Sequence, residues 1–538
     1  MSTLAHPFVS RPRSAATARR PSLRLAISVA LCALALAGCV TNPVTGRSEL
    51  ALITPAQEIR IGEQNYVPAQ QSQGGQLASD PELTAYVNEV GQRMARTSGV
   101  ELPYEFVVLN NSVPNAWAMP GGKIAINRGL LTELDNEAEL AAVLGHEVTH
   151  SAARHGAKAM QRGIFLQGAL VTTAVISQRK TEYANALVGA AQVAAGLIST
   201  KYGRDAERES DLYGTRWLAD AGYDPMAAVT LQETFVRLSK GRPTDWLSGL
   251  FASHPPSAER VENNRRQVEE LRAQGLIRPD AELGGERYQA ALARTRARLP
   301  AYKAQDEARK ALADKDVDGA VAAITRALRA APGEASFHGT RGDIRYQQQR
   351  WDDAVTNYTR AIERDDAYYH YYLGRGMATL KRSGRDAARS DLERSVRLLP
   401  TATATNELGK IAEAAGNRDL ALRYYESAAG SQSAAGAEAR GRFLVLDLAR
   451  RPGEYVKTQV RLTEQGAPVL LIANATDMAL RDVVVDVELT WESGQVDRLQ
   501  RGLRALSARG QMSVRLPQRE MRLARQASRV VRAAPAGR

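Results

Sequence analysis

The stretch Leu144-Gly145-His146-Glu147-Val148-Thr149-His150 decides how the rest of the chain is interpreted. Its core has the pattern H-E-x-x-H and lies within residues 135–160, a run with helical spacing and no proline. Histidines four residues apart project from one face of a helix, so both imidazoles can reach one zinc ion at about 2.0–2.1 Å. Glu147 can take a proton from a water molecule at that ion. The stretch therefore predicts a helix that carries two zinc ligands and a general base.

A second stretch, farther along the chain, predicts the remaining ligand. Residues 204–214 read R-D-A-E-R-E-S-D-L-Y-G, which places Glu207 and Asp211 on one helical face. Catalytic zinc sites use three protein ligands and keep a position for water, so Glu207 is predicted to complete the set. Asp211 is predicted to orient a ligand imidazole. Glu209 lies on another face of this helix and stays the competing candidate for the ligand.

Length and composition bound the class of protein. The chain has 538 residues, which predicts about three to four domains. Its two cysteines, Cys32 and Cys39, both precede residue 40, which excludes a disulfide framework and a cysteine-based zinc site in the body. Of the net charge of +12, residues 498–538 contribute +10, from eleven arginines and one glutamate. The basic character is therefore local.

The N-terminus has the pattern of an export signal. A basic segment precedes the apolar run 25–38, which is too short to span a membrane comfortably. The run ends in Leu36-Ala37-Gly38-Cys39, which resembles the bacterial lipobox. Residues 1–38 are therefore predicted to be a lipoprotein signal peptide, with Cys39 lipidated and 39–54 a flexible tether. No aspartate follows the cysteine, which favours the periplasmic face of the outer membrane. An ordinary signal peptide is the alternative.

Residues 55–270 are predicted to form the metal domain. Helical patterns cover 55–66 and 80–97, and a strand pattern covers 104–109. Residues 115–127 contain Pro-Gly-Gly and predict two short strands joined by a turn. Such an edge strand could bind a substrate backbone by strand addition, or it could simply pack on the helices.

Two Gly/Ala-rich apolar stretches follow, at 163–176 and 186–198. Each is shorter than the roughly 20 residues of a spanning helix, so we interpret them as an amphipathic hairpin near the cleft. Two transmembrane helices are the alternative.

Residues 50–270 resemble the zinc metallopeptidase family that includes the CAAX prenyl proteases, HtpX and the mitochondrial Oma-type protease. The family's H-E-x-x-H falls on 146–150, and its E-x-x-A-D falls on 207–211 with Ser210 in place of alanine. Its N-A-F-A-x-P-G-G is similar to residues 115–122. The resemblance implies a zincin-like α+β fold, one Zn²⁺ per chain and metalloendopeptidase activity.

A further match is S-H-P-P-S-A-E-R at 253–260. In the family this element lies near the cleft, which implies that His254 approaches the zinc as a fourth ligand or assists at the oxyanion. A structural histidine before a helix start is the alternative. Tyr202 and Arg204 are the other candidate oxyanion donors. His155, five residues after His150, does not fit the metzincin spacing and is predicted to be exposed.

Residues 301–435 carry an internal repeat, preceded by a predicted helical linker at 271–300. Small residues recur at intervals of 34, 34 and 33 in one register, at Ala320, Ala354, Ala388 and Ala421. This is the tetratricopeptide period, and a concave helical surface of that kind usually binds another chain. Tyrosines at 368, 369, 371 and 372 are expected on that surface or in its core, and the repeats are expected to contact the metal domain.

The C-terminal region has alternating β-branched patterns punctuated by turns, which predict an Ig-like β-sandwich at 455–516. Residues 517–538 are a basic tail, in which arginines at spacings of three and four predict a helix over 517–532. A basic helix could bind an anionic membrane face; a solvated tail is the alternative.

Together these patterns predict a multidomain, mainly α-helical protein with a zincin-like domain, an α-solenoid and a small β-sandwich. The chain also resembles exported peptidases of this family that carry such repeats. That resemblance implies cleavage of misfolded or stalled outer-membrane proteins, with the repeats docking on the β-barrel assembly machinery. Nucleic acid is excluded as a partner of an exported chain. The alternative function is a chaperone or assembly scaffold that acts through its repeats while the protease site is normally closed.

Overall fold

The structure, a computed structural model, describes residues 39–167, 202–239 and 254–536. The predicted signal peptide and most of the predicted apolar hairpin at 163–198 lie outside these residues. Across the described ranges, every helix is too short or too polar to cross a membrane.

The chain begins with a small hairpin in which strand β1 (Cys39–Thr41) pairs antiparallel with β2 (Ser48–Leu50). Between them, the buried Asn42 accepts hydrogen bonds from the backbone N–H groups of Val44 and Thr45. Its amide also donates to the carbonyl of Ala153, 3.1 Å away in the metal domain. The prediction of a flexible tether is therefore wrong here, because these hydrogen bonds fix the segment to the domain.

A three-stranded sheet and two long helices form the first part of the metal domain. Helix α1 (Pro55–Ser72) begins with a capping box at Thr54, and α2 (Pro81–Thr97) buries its apolar face. The sheet has the order β3-β5-β4, and its strands are β3 (Glu105–Leu109), β4 (Ala116–Met119) and β5 (Lys123–Asn127). Strand β5 is parallel to β3 and antiparallel to β4. The predicted hairpin is confirmed: Gly121 and Gly122 have φ values of 81° and 83°, which favour glycine.

Helices complete this domain. They are α3 (Arg128–Leu131), α4 (Glu137–Ala152), α5 (His155–Gln167), α6 (Arg204–Asp220), α7 (Ala227–Ser239), α8 (Ala258–Ala273) and α9 (Gly285–Ala297). Helix α9 falls in the predicted linker, yet Tyr288 and Leu292 are fully buried in the core of the metal domain. The hydroxyl of Tyr288 also donates to the carbonyl of Leu131. This helix is therefore packed as part of the domain.

The helical run predicted over 135–160 is broken after Ala152. Arg154 has a φ of 61°, in the left-handed region that non-glycine residues seldom adopt. Its buried guanidinium binds the carboxylate of Glu58 and the carbonyl of Ile53, which holds this conformation. The chain therefore turns between α4 and α5 at a position that lacks a glycine or proline.

The repeat segment consists of four helix pairs. Their helices are α10 (Leu299–Ala313), α11 (Val317–Ala330), α12 (Ala335–Gln347), α13 (Trp351–Ile362), α14 (Tyr369–Ser383), α15 (Arg385–Leu398), α16 (Ala402–Ala414) and α17 (Arg418–Ala429). Small residues occupy the helix crossings: a Cβ at Gly342 would lie only 2.7 Å from the ring of Tyr358. A further helix, α18 (Ala434–Arg450), follows the repeats.

The repeats contact the metal domain, as predicted. The side chain of Gln71 donates to the carbonyl of Ala367 and accepts from the N–H of Tyr369, both at 2.8 Å. The guanidinium of Arg128 lies 3.4 Å from the ring centroid of Tyr302. Within the tyrosine cluster, Tyr371 is buried in the repeat core, and the ring of Tyr368 packs close to Gly75 of the metal domain.

Two three-stranded sheets with one shared core form the C-terminal module, after a short helix α19 (Pro452–Tyr455). Their strands are β6 (Val456–Leu462), β7 (Pro468–Asn474), β8 (Leu480–Trp491), β9 (Val496–Leu506), β10 (Gln511–Arg515) and β11 (Leu523–Pro535). The orders are β10-β7-β6 and β11-β8-β9. The helix predicted over 517–532 is wrong, because β11 pairs with β8 and buries Val530 and Ala533 in the core. The predicted mainly α-helical fold class with a small β module is confirmed.

Candidate metal centre

Four potential metal ligands converge between α4, α6 and the start of α8. One ligand atom from each of His146, His150, Glu207 and His254 lies within 4.8 Å of the others. The last three residues are buried, and the side chain of His146 is 12% exposed. The Nε2 atoms of His146 and His150 are 3.1 Å apart. The carboxylate of Glu207 lies 3.5 Å from the first of these nitrogens and 3.4 Å from the second. The structure therefore brings the three predicted ligands together.

His254 lies in the same cluster. Its Nδ1 is 3.0 Å from Glu207 Oε1 and 3.3 Å from His146 Nε2, so it occupies the place of a fourth ligand. Two imidazole nitrogens and a carboxylate at these separations suit a divalent ion such as zinc, because these are its usual ligand atoms and they face one point. The residues present therefore fit the metal that the sequence predicts.

A close helix crossing creates this convergence. Helix α4 carries the two histidines and α6 carries Glu207, and they meet where Gly145 faces Gly214. A Cβ at Gly214 would lie 3.2 Å from the backbone nitrogen of His146, so a larger residue would separate the helices. Small residues here let a carboxylate on one helix reach imidazoles on the other.

Glu147 lies beside the cluster in a dry environment. It is 2% exposed, and its Oε1 is 3.6 Å from His254 Nε2. Its buried Oε2 has no hydrogen-bond partner among the described residues. Burial raises the pKa of Glu147 above its ordinary value. A carboxylate in this state is suited to accept a proton from a nearby water molecule.

Asp211 touches a ligand rather than the centre itself. Its Oδ1 is 3.0 Å from His146 Nδ1. It accepts two further hydrogen bonds, of 2.8 and 2.7 Å, from the buried guanidinium of Arg260. Another nitrogen of Arg260 lies 3.2 Å from Glu207. No sequence pattern indicated a role for Arg260, although it is the last residue of the H-P-P-S-A-E-R element at 254–260.

Burial and neighbouring groups shift the pKa values of the candidate ligands in different directions. Burial alone would lower the pKa of His146, but hydrogen bonds to Asp211 and Glu207 raise it to about 9. Burial dominates at His150 and lowers its pKa well below the usual value. Burial would raise the pKa of Glu207, but His254, His146 and His150 lower it, so this carboxylate is ionised.

Comparison with known proteins agrees with this geometry. Residues 81–268 match the family model described as "Peptidase family M48". The segments 306–369, 340–382 and 373–438 match a tetratricopeptide repeat model. The predicted family of the metal domain and the predicted repeats are both confirmed.

Among similar proteins is the beta-barrel assembly-enhancing protease of Escherichia coli (strain K12), 31% identical over 239 residues. That match covers 43% of this chain and 48% of the relative. The metalloprotease YcaL of the same strain is 29% identical over 37% of this chain and 76% of its own length. The mitochondrial metalloendopeptidase OMA1 of Arabidopsis thaliana is 30% identical over 37% of this chain and 39% of its own length. The chain thus spans about half the length of the first of these relatives.

The metal domain contains a second buried histidine contact that the sequence patterns did not predict. The prediction that His155 is exposed is wrong: it is 2% exposed, and its Nδ1 lies 3.0 Å from His150 Nδ1. The turn at Arg154 brings it back toward the helix that it follows. Glu209, the competing ligand candidate, lies 3.3 Å from His155 Nε2 and is not in the ligand cluster.

The two other oxyanion candidates differ in position. The ring of Tyr202 stacks on that of His150, with centroids 3.9 Å apart and planes at 23°. Arg204 is exposed at the first position of α6. The geometry therefore places Tyr202 against the centre and Arg204 at the surface.

Proposed function

We propose that the chain is a zinc-dependent endopeptidase in which His146, His150 and Glu207 hold the ion. The observation that carries this proposal is the convergence of these side chains on one point, with the buried carboxylate of Glu147 beside it. Three protein ligands around an ion with a position for water are typical of catalytic zinc.

The residues divide the chemistry between them. Zinc held by His146, His150 and Glu207 would supply a Lewis acid for the scissile carbonyl and for a water molecule. Glu147 takes the proton of the attacking water and delivers it to the departing amine. Asp211 and Arg260 hold the ring of His146 in one orientation. Strand β4 is at the edge of its sheet, but its four residues are buried, so pairing with an extended substrate would require this edge to be uncovered.

The proposed site of action is the bacterial envelope, and the proposed clients are misfolded or stalled outer-membrane proteins. The support is the similarity to the beta-barrel assembly-enhancing protease, together with the lipobox pattern that ends at Cys39. The tetratricopeptide repeats suit protein partners, and we place the β-barrel assembly machinery among them. Lipidated Cys39 would attach the chain to the outer membrane from the periplasm.

Substitution of the proposed base tests the peptidase function. Glu147→Gln is expected to bind zinc in a 1:1 ratio but to lose cleavage of an unfolded protein such as casein by about 10²–10⁴-fold, because the general base is absent. The matched control is Glu262→Gln, which changes an exposed acid on α8 and should cleave normally. Cleavage by Glu147→Gln at the normal rate would contradict the assignment. The same variant, crosslinked in cells, should retain the clients for identification.

His254 favours a second candidate function, that of a scaffold whose protease site is normally closed. Its two ring nitrogens lie 3.0 Å from Glu207 and 3.6 Å from Glu147, so it fills the space that a water molecule would use. Under this hypothesis, His254→Ala increases cleavage and Glu147→Gln fully complements a deletion strain. Failure of Glu147→Gln to complement would favour proteolysis instead.

A further inference from the structure

The two ligand histidines, His146 and His150, contact different partners through Nδ1, the ring nitrogen that faces away from the ligand cluster. Both direct Nε2 toward the ligand cluster and Nδ1 toward the protein. For His146 the partner at Nδ1 is a carboxylate, that of Asp211, at 3.0 Å. For His150 the partner is another imidazole, His155, whose own Nε2 lies 3.3 Å from Glu209 Oε1.

The hydrogen bonds in this second arrangement can be assigned from the chemistry of the ring. A histidine that offers Nε2 to a metal keeps its proton on Nδ1. His150 therefore donates from Nδ1, and the Nδ1 of His155 accepts over 3.0 Å. His155 then carries its proton on Nε2, where the carboxylate of Glu209 accepts it. In this series of three side chains, His150, His155 and Glu209, each hydrogen bond thus has one donor and one acceptor.

The turn at Arg154 brings His155 into contact with His150. The left-handed conformation at Arg154 reverses the backbone immediately after α4, so His155 begins α5 beneath the ligand that it contacts. Burial leaves the side chain of His155 3% exposed and that of Glu209 22% exposed, so water competes little for these contacts. The buried bonds of Arg154 to Glu58 and Ile53 hold the turn in place.

We propose that His155 and Glu209 are positioning residues that fix the ring orientation and the proton of His150 for metal binding. This inference rests on the proposed function, because it gives His150 the role of a ligand. Neither residue belongs to the ligand cluster, so both act through His150. Removal of such a partner typically weakens metal binding by about 10–100-fold.

Two substitutions at His155 separate hydrogen bonding from packing. His155→Leu fills similar space but cannot accept a proton, and it is expected to weaken zinc binding by about 10–100-fold. His155→Asn places a carbonyl oxygen near the position of Nδ1, so it is expected to restore most of the affinity. The measurement is competition of the full chain with a chromophoric zinc chelator, with the Co²⁺ absorption spectrum as a second readout of ligand geometry.

Two further variants complete the experiment. Glu209→Leu is expected to weaken zinc binding less than His155→Leu, because the direct acceptor of His150 remains. Asp205→Asn is the control, since this acid on the same helix is fully exposed and should bind zinc like the unaltered chain. Thermal unfolding of the metal-free proteins checks that each variant is folded.

Several outcomes would overturn the inference. Unchanged zinc affinity and an unchanged Co²⁺ spectrum in His155→Leu would do so, and so would equal losses in His155→Leu and His155→Asn. If the unaltered chain itself fails to bind zinc in a 1:1 ratio, the proposed function fails instead. The two failures are therefore distinguishable.

Discussion

Gly214 sets the distance between the two helices that carry the metal ligands. A Cβ at this position would lie 3.2 Å from His146 N, 3.3 Å from Gly145 C and 3.4 Å from His146 Cα. Non-bonded carbon atoms prefer about 3.5–4.0 Å, so alanine requires the helices to separate by roughly 0.3–0.5 Å. All three neighbours are backbone atoms of a buried helix and cannot rotate away.

The expected cost follows from two opposing effects. Overpacking a core costs about 1–3 kcal/mol, whereas replacing a helical glycine by alanine gains about 1 kcal/mol of helix propensity. Gly214→Ala should therefore lower the free energy of unfolding by only about 0–2 kcal/mol. Metal sites, however, tolerate displacements of no more than about 0.5 Å. Gly214→Val, with two more methyl groups at the crossing, should exceed that limit and weaken zinc binding at least tenfold.

Urea unfolding of the metal-free chain and zinc competition against a chelator measure the two effects separately. Gly285→Ala is the matched control, because a Cβ at this helical position meets no atom within 4 Å. It should leave both quantities unchanged or slightly raise stability. If Gly214→Val binds zinc as tightly as the unaltered chain, the crossing does not determine the site and the reasoning is refuted.

Three further predictions concern stability and the metal. Glu58→Ala leaves the buried guanidinium of Arg154 without its carboxylate and should cost about 3–5 kcal/mol in urea unfolding; an unchanged midpoint would contradict this. Burial raises the pKa of Asp365 to about 6, above the value of about 3.9 in an unfolded chain. The stabilisation by protonated Asp365 is complete below the unfolded pKa and is lost as the pH rises through about 6. Asp365→Asn should therefore raise the melting temperature near pH 8 and change it little near pH 4. Removal of the metal with a chelator should abolish cleavage and lower the melting temperature. Free zinc at about 100 times its Kd should raise the free energy of unfolding by about 2.7 kcal/mol. Cleavage that survives chelation would exclude a metal mechanism.

Local patterns predicted much of the fold and of the candidate site. The H-E-x-x-H helix, the acidic helix with Glu207 and Asp211, and the 34-residue period are all short-range features, and the structure places Asp211 against His146. Contacts between distant segments were not predictable in this way. Arg260 reaches Asp211 across 49 residues, and Glu209 reaches His155 across 54. Neither pairing leaves a periodic pattern in the sequence.

Two local features were wrongly predicted for physical reasons. The break at Arg154 has no glycine or proline to mark it; a long-range ion pair with Glu58 stabilises the turn instead. In β11, arginines at spacings of three and four are compatible with a helix stripe. The strand forms because β8 offers a partner, with Asp486 and Glu488 opposite Arg529 and Ala527. Tertiary pairing therefore overrode the local preference.

The hairpin at the start of the described chain has a consequence for how the protein would sit on a bilayer. Backbone pairing begins at Cys39, and Asn42 is already bonded to Ala153, beside the turn after the metal-binding helix. Three residues span at most about 11 Å. If Cys39 carries acyl chains, almost no flexible linker separates the lipid from the metal domain. The metal centre would then stay close to the lipid headgroups. Under that proposal, polypeptides at the membrane surface would lie within reach of the metal centre.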